Sequence, residues 1–232
     1  MIIQAGQSGR GQRFASRWAE LVFAVYHNLQ AGQKTYASFK DSVAKAGRDP
    51  ELVRVAPAVY VIPAETQTMA EAKMELIDKL AKPIDGMALL SEVLNFDFAS
   101  KGYDDAFNDD ELKSISGLRA TLDRVVAVSG KQNPTVRDFV EFSKRGTIHE
   151  FPVFYGSGRR VADQMEQWFV ERGCDGFVVA GTHLPGSYED FTRLIVPELQ
   201  RRGLFRRAYT GTTLRDHLGL KKAEIGDWKG AV

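Results

Sequence analysis

Cysteine is almost absent from this chain. A single residue, Cys174, stands among 232, which excludes an internal disulfide framework and any cysteine-rich zinc site. Histidine is sparse at four. None falls in an H-x-E or H-E-x-x-H spacing, so a metal hydrolase is not expected. Charge of one sign is lacking too: 31 Lys and Arg offset 30 Asp and Glu, for a net charge of +1. That balance, with no basic cluster interleaved with aromatics, argues against nucleic acid as a partner. No apolar run approaches the roughly 18–20 residues of a membrane span. The opening MIIQAGQSGRG lacks the basic start and apolar core of a signal peptide. The expected setting is the cytoplasm, without a membrane partner. A hydrophobic fraction of 44% and a charged fraction of 26% fit an ordinary globular protein.

What is present is an alternation. Short apolar runs predict buried strands over residues 2–5, 21–25, 53–62 and 176–180. Between them lie helical patterns at 12–18, 29–46, 68–80, 158–172 and 187–202. Thr68 to Glu71 and Ser187 to Asp190 read as capping boxes. Val161, Met165, Trp168 and Phe169 read as one helix face. Pro197 should kink or restart the last helix. Residues of about 84–150 break the pattern and read as a mainly helical insertion, expected over the carboxyl ends of the strands. Continuous apolar strands alternating with helices predict an α/β fold with a parallel sheet. Four such units fall short of the eight of a closed barrel.

Gly6-Gln7-Ser8-Gly9-Arg10-Gly11 lies between a strand and a helix, where free N–H groups attract phosphate. The spacing is neither G-x-G-x-x-G nor a P-loop, and a turn that merely starts a helix fits it equally well. Phe23, Val25, Tyr26 and His27 end the second strand. The pattern alone favours Phe23 and Val25 as core residues, and His27 as a cap of the next helix. His183 follows the last strand, where a binding or proton-relay role is open, although a solvated loop histidine fits it better. His149 and His217 have no partner at metal spacing. Cys174 reads as buried packing rather than a nucleophile.

Three stretches together resemble one family. The first is Ile2 to Gly11, with Phe14-Ala15 and Ala19 to Phe23 behind it. The second comprises Gly156-Ser157, Val161 to Asp163, Trp168-Phe169 and Asp175 to Phe177. The third is Val196-Pro-Glu-Leu-Gln-Arg-Arg-Gly-Leu-Phe-Arg206, continuing through Tyr209 and Gly211 to Arg215 and Leu218-Gly-Leu220. They resemble the flavin-dependent monooxygenases of the bacterial luciferase-like superfamily, in the group of the nitrilotriacetate and dibenzothiophene-sulfone monooxygenases.

The resemblance implies the C-terminal half of a (β/α)8 TIM barrel, beginning at strand five. That half would span 1–220, with the helical insertion at about 84–150 and a tail at 221–232. It implies that Gln7, Ser8 and Gly9 hold the phosphate of FMN and that Phe23 and Val25 line the substrate pocket. No catalytic residue is carried over. The implied partners are a flavin reductase that supplies reduced FMN, O2, a small organic substrate, and either a missing N-terminal half-barrel or a second copy. A non-catalytic remnant or a flavin- or phosphate-binding module is the alternative. An unclosed barrel predicts an interior layer, including Phe23 and Val59, that faces solvent on one side.

Overall fold

The computed structural model describes residues 1–5 and 9–222. The chain divides into two compact units, Met1–Ala72 with Phe151–Val232, and Lys73–Glu150. The first unit is a parallel sheet with helices. Its strands are β1 (Ile3–Gln4), β2 (Leu21–Ala24), β3 (Arg54–Ala64), β4 (Val153–Ser157) and β5 (Val178–Ala180). β1 pairs with β2, and β2 with the first four residues of β3. β5 pairs with Ala58 to Tyr60 of β3, and β4 with Tyr60 to Ala64. The four predicted strands are therefore present as β1, β2, β3 and β5, and all pairs are parallel.

β4 is a fifth strand that the sequence reading lacked. Its apolar stretch is three residues long and is followed at once by Gly156-Ser157, too short for any period to register. It exists because the extended end of β3 offers a distant partner. Pro57 falls where β3 passes from β2 to β5. A residue without an N–H costs the ladder least at such a handover.

Alternation along the strands sets two faces. Val22, Ala24 and Tyr26 are buried, while Leu21, Phe23 and Val25 are half-buried on the opposite face. The register Phe23 to Ala56 places the even-numbered residues of β3 on the face of Phe23. Val55, Val59 and Val61 therefore lie in the core with Val22 and Ala24. This corrects one expectation: Val59 is fully buried at 0% exposure and belongs to the helix side, one residue out of phase with an interior layer.

α1 (Gly9–Trp18), α2 (Leu29–Lys45), α3 (Gln67–Leu80) and α8 (Gly158–Val170) follow strands β1 to β4 in turn. α2 contributes Tyr36, Phe39 and Val43 to the core, and α8 contributes Val161, Ala162, Met165 and Trp168. Phe169 is 48% exposed. At about 100° per residue it shares a side of the helix with the buried Ala162, but it lies one residue from the end of α8. The cap of α3 is Thr66, whose Oγ1 accepts from Met69 N at 3.2 Å, rather than Thr68. Glu71 instead accepts from Gln67 Nε2 at 2.8 Å.

After β5 the chain runs through α9 (Gly186–Asp190), a wider π turn over Phe191–Ile195, and α10 (Val196–Arg201). Pro197 sits at the start of α10. It has no N–H to give the preceding turn, and the π turn absorbs the break. A short helix, α11 (Leu214–His217), follows, capped by Thr213.

A buried ionic clamp joins α2 to the start of β5. Asp175 Oδ1 accepts from Tyr36 OH at 2.8 Å, and its Oδ2 accepts from Val55 N at 2.8 Å. Lys40 Nζ lies 3.0 Å from the same Oδ2 and donates to Pro50 O and Val53 O at 2.8 and 2.6 Å. Lys40 and Asp175 side chains are 8% and 10% exposed.

The second unit is helical, with α4 (Pro83–Leu94), α5 (Asp109–Ser114), α6 (Arg119–Ser129) and α7 (Val136–Ser143). Phe98, Phe107 and Phe139 meet at its centre, with ring centroids 4.9–5.4 Å apart. Leu90, Leu94 and Val125 complete a core of its own. Capping boxes at Asn108 with Glu111 and at Thr135 with Asp138 start α5 and α7. Gly117 is required by close approach: a Cβ there would lie 2.0 Å from Val93 O.

Candidate functional site at the carboxyl ends of the strands

Parallel α/β sheets place ligands at the carboxyl ends of their strands. Beyond β1 lies the glycine-rich segment. Gln7 and Ser8 fall outside the described residues, whereas Gly9 opens α1. The first turn of α1 holds no acidic side chain, and Arg10 and Arg13 lie near it. The nearest atom to a Cβ placed on Gly9 would be Arg13 Nη1 at 3.8 Å. The leading N–H groups of a helix have no partner within it and carry the positive end of its dipole.

Beyond β2, Phe23 and Val25 share the face opposite the core and are half-buried. The next residue in phase with the core, Tyr26, is 4% exposed. Burial pushes its phenol up to about 12, with the neighbouring Cys174 and Asp175 adding to the shift. His27 is exposed, and the cap of α2 is Asn28, whose side chain accepts from Ala31 N at 2.8 Å.

Beyond β5, three polar side chains converge. Ser187 is 4% exposed, and its Oγ accepts from Thr182 N and His183 N, each at 3.0 Å. The same oxygen lies 3.0 Å from His183 Nδ1 and 3.1 Å from Thr182 Oγ1. Ser187 therefore does not cap α9 as its sequence position suggested; it sits inside the helix and reaches back to hold the turn at Thr182-His183. Gly186 makes room for the imidazole, since a Cβ there would lie 2.6 Å from His183 Nε2.

The other histidines lie elsewhere. His149 Nε2 is 3.1 Å from Asp78 Oδ1 in the helical unit. His217 packs on Tyr209, with ring centroids 4.6 Å apart. Cys174 is buried, and burial pushes its thiol up to about 12, the opposite of an activated nucleophile.

Sequence reasoning missed Ser187 as a partner of His183. The signal was their spacing of four across a Pro-Gly turn.

No family model matches the chain. Nitrilotriacetate monooxygenase component A of Aminobacter aminovorans is 37% identical over 223 residues, which are 96% of this chain and 49% of that protein. Dibenzothiophene-sulfone monooxygenase of Rhodococcus erythropolis is 36% identical over 229 residues, 97% of this chain and 50% of that protein. The crystal structure of DmoA from Hyphomicrobium sulfonivorans superposes with a TM-score of 0.71 at 32% identity, covering 94% of this chain and 45% of that one. This is a half-length luciferase-like chain. It spans about half the length of the curated relatives it matches.

The superposition identifies the strands and helices of the first unit as part of a TIM-barrel architecture. The parallel strands put the start of α1, the end of β2 and the turn after β5 at the same end of that architecture. Among the described residues, no helix is long and apolar enough to cross a membrane.

Proposed function

We propose that the chain forms the phosphate-holding part of a two-component monooxygenase. That enzyme would take reduced FMN from a separate flavin reductase and use O2 to oxygenate a small organic substrate. The observation that carries this reading is the 37% identity to nitrilotriacetate monooxygenase component A across 96% of the chain. The residues present fit an anionic cofactor: α1 begins on a glycine, with no carboxylate in its first turn. The N–H groups at Gly9 would hold the phosphate; Gln7 and Ser8 join them through the family resemblance. Bound FMN supplies the oxygen chemistry, while the protein binds, orients and excludes water. Phe23 and Val25 would give the substrate an apolar wall on the face turned away from the core.

The same face argues for a partner. Ile3 is in phase with Leu21 and Phe23, and Val178 with Ala58. These two side chains are 57% and 37% exposed. Apolar burial stabilises by roughly 1.5–3 kcal/mol per large side chain. Completion by another set of βα units, or by a second copy, would recover part of that.

The test supplies reduced FMN, 18O2 and either nitrilotriacetate or dibenzothiophene sulfone to the chain alone and to the chain mixed with a polypeptide carrying the complementary half-barrel. Incorporation of label only in the mixture is expected. A cooperatively melting monomer with full turnover alone would refute the need for completion. Tight FMN binding without label in either sample would favour a flavin-binding module.

A further inference from the structure

The hydrogen bonds around Ser187 fix more than the shape of a turn. A serine hydroxyl has two lone pairs and one proton. Both lone pairs of Ser187 Oγ are engaged by Thr182 N and His183 N at 3.0 Å. The hydroxyl therefore cannot also accept from an imidazole N–H. Its single proton points either to His183 Nδ1 at 3.0 Å or to Thr182 Oγ1 at 3.1 Å. In the first case Nδ1 is an acceptor. In the second, the Thr182 hydroxyl proton is free to turn to Nδ1 at 3.3 Å, and Nδ1 is again an acceptor. An Nδ1–H would find only the longer contact to Thr182.

We propose that the uncharged imidazole of His183 is held as the Nε2–H tautomer, and that this N–H is a positioning donor to an oxygen of the flavin nucleotide bound at the carboxyl ends of the strands. The second half of the proposal rests on the functional reading above. Three further features serve this arrangement. Gly186, having no Cβ, lets the imidazole sit against the turn without a clash. Tyr188 OH donates to Val179 O at 3.3 Å, which ties α9 back to β5. His183 itself is exposed, so a ring braced on its Nδ1 side is still reached from solvent. The loops after the last barrel strands are where this architecture holds phosphorylated ligands.

The test uses the full chain with 15N-labelled histidine, His183 being assigned by the signal lost in His183→Gln. Nitrogen spectra should show Nε2 protonated and Nδ1 bare, and Ser187→Ala should convert this to a mixture of tautomers. Titration with FMN should move the His183 nitrogens and leave those of His149 unchanged. His183→Phe should weaken FMN binding about tenfold, while His183→Gln, which keeps an N–H at similar reach, should recover most of it. A wild-type ring carrying Nδ1–H, or a tautomer mixture identical to that of Ser187→Ala, would overturn the first half. FMN binding by His183→Phe equal to wild type would overturn the second. No FMN binding by the wild-type chain would remove the flavin reading and the donor role with it, while the spectra still decide the tautomer.

Discussion

Replacing Asp175 with alanine should test what anchors β5 to the rest of the sheet. The carboxylate has three partners: Tyr36 OH, Val55 N and the Lys40 ammonium, all within 3.0 Å. Its loss leaves a backbone N–H and a phenol without acceptors, and a lysine with 8% side-chain exposure facing only two carbonyls. Removing one partner of a buried ion pair costs roughly 3–5 kcal/mol, because the other charge stays buried. Against a total stability of about 5–15 kcal/mol, this approaches loss of the fold. The expected fall in Tm is about 10 °C or more. Urea unfolding followed by tryptophan fluorescence reads the right unit, since all three tryptophans lie outside residues 73–150. Lys40→Met should cost a comparable amount. Combined with Asp175→Asn, it should cost less than the sum of the two single changes by at least about 1 kcal/mol. A loss below about 1 kcal/mol for Asp175→Ala, or strict additivity in the double variant, would refute the clamp.

Alkaline pH should loosen the same region. The Cys174 thiol and the Tyr26 phenol are both pushed up to about 12 by burial, so the folded chain keeps protons that the unfolded chain sheds. The unfolded state then binds fewer protons, and unfolding free energy falls with rising pH. The contribution is complete below about pH 8.5 and is lost on the way to pH 12. Urea midpoints from pH 8 to 10 should decline, less steeply in Cys174→Ala; equal slopes would count against burial as the cause. Ser8→Ala should weaken FMN about 10- to 150-fold by removing a hydrogen bond to a charged group, and an unchanged titration would remove Ser8 from the phosphate site. Phe139→Ala should cost roughly 3–5 kcal/mol and speed amide exchange across 73–150, measured by mass spectrometry. Equal acceleration throughout the chain would show that the helical unit has no stability of its own.

The elements legible in the sequence were those whose signal is local. α2 is bounded by Asn28 and Gly47 and appears within a residue of its expected end, and the apolar run before Ala64 appears as β3. What escaped depended on partners far along the chain. β4 needs the end of β3, and the phase of Val59 follows from its register with β2. Ser187 reads as a cap in the sequence, but the backbone N–H groups it serves belong to Thr182 and His183, on the preceding turn. By chemistry the glycine-rich segment read equally well as a phosphate site or as a turn that starts a helix, and the phosphate reading came from the family resemblance. The ionic clamp left almost no trace, because Lys40 and Asp175 are ordinary charged residues until folding brings them together.

The pairing of His149 with Asp78 bears on the order in which the chain assembles. β3 and β4 must meet across an excursion of about 90 residues, and closing a flexible loop of that length costs roughly 4 kcal/mol of entropy plus a constant. Asp78 lies near the entrance of the helical unit and His149 near its exit. Once that unit has formed, its entrance and exit are a side-chain pair apart, and the flexible stretch left to close shrinks to about 15 residues. The closure cost then falls by roughly 1.5 kcal/mol, more than tenfold in the probability of the encounter. An insertion that folded first would therefore act as a splint, delivering β4 to the edge of β3.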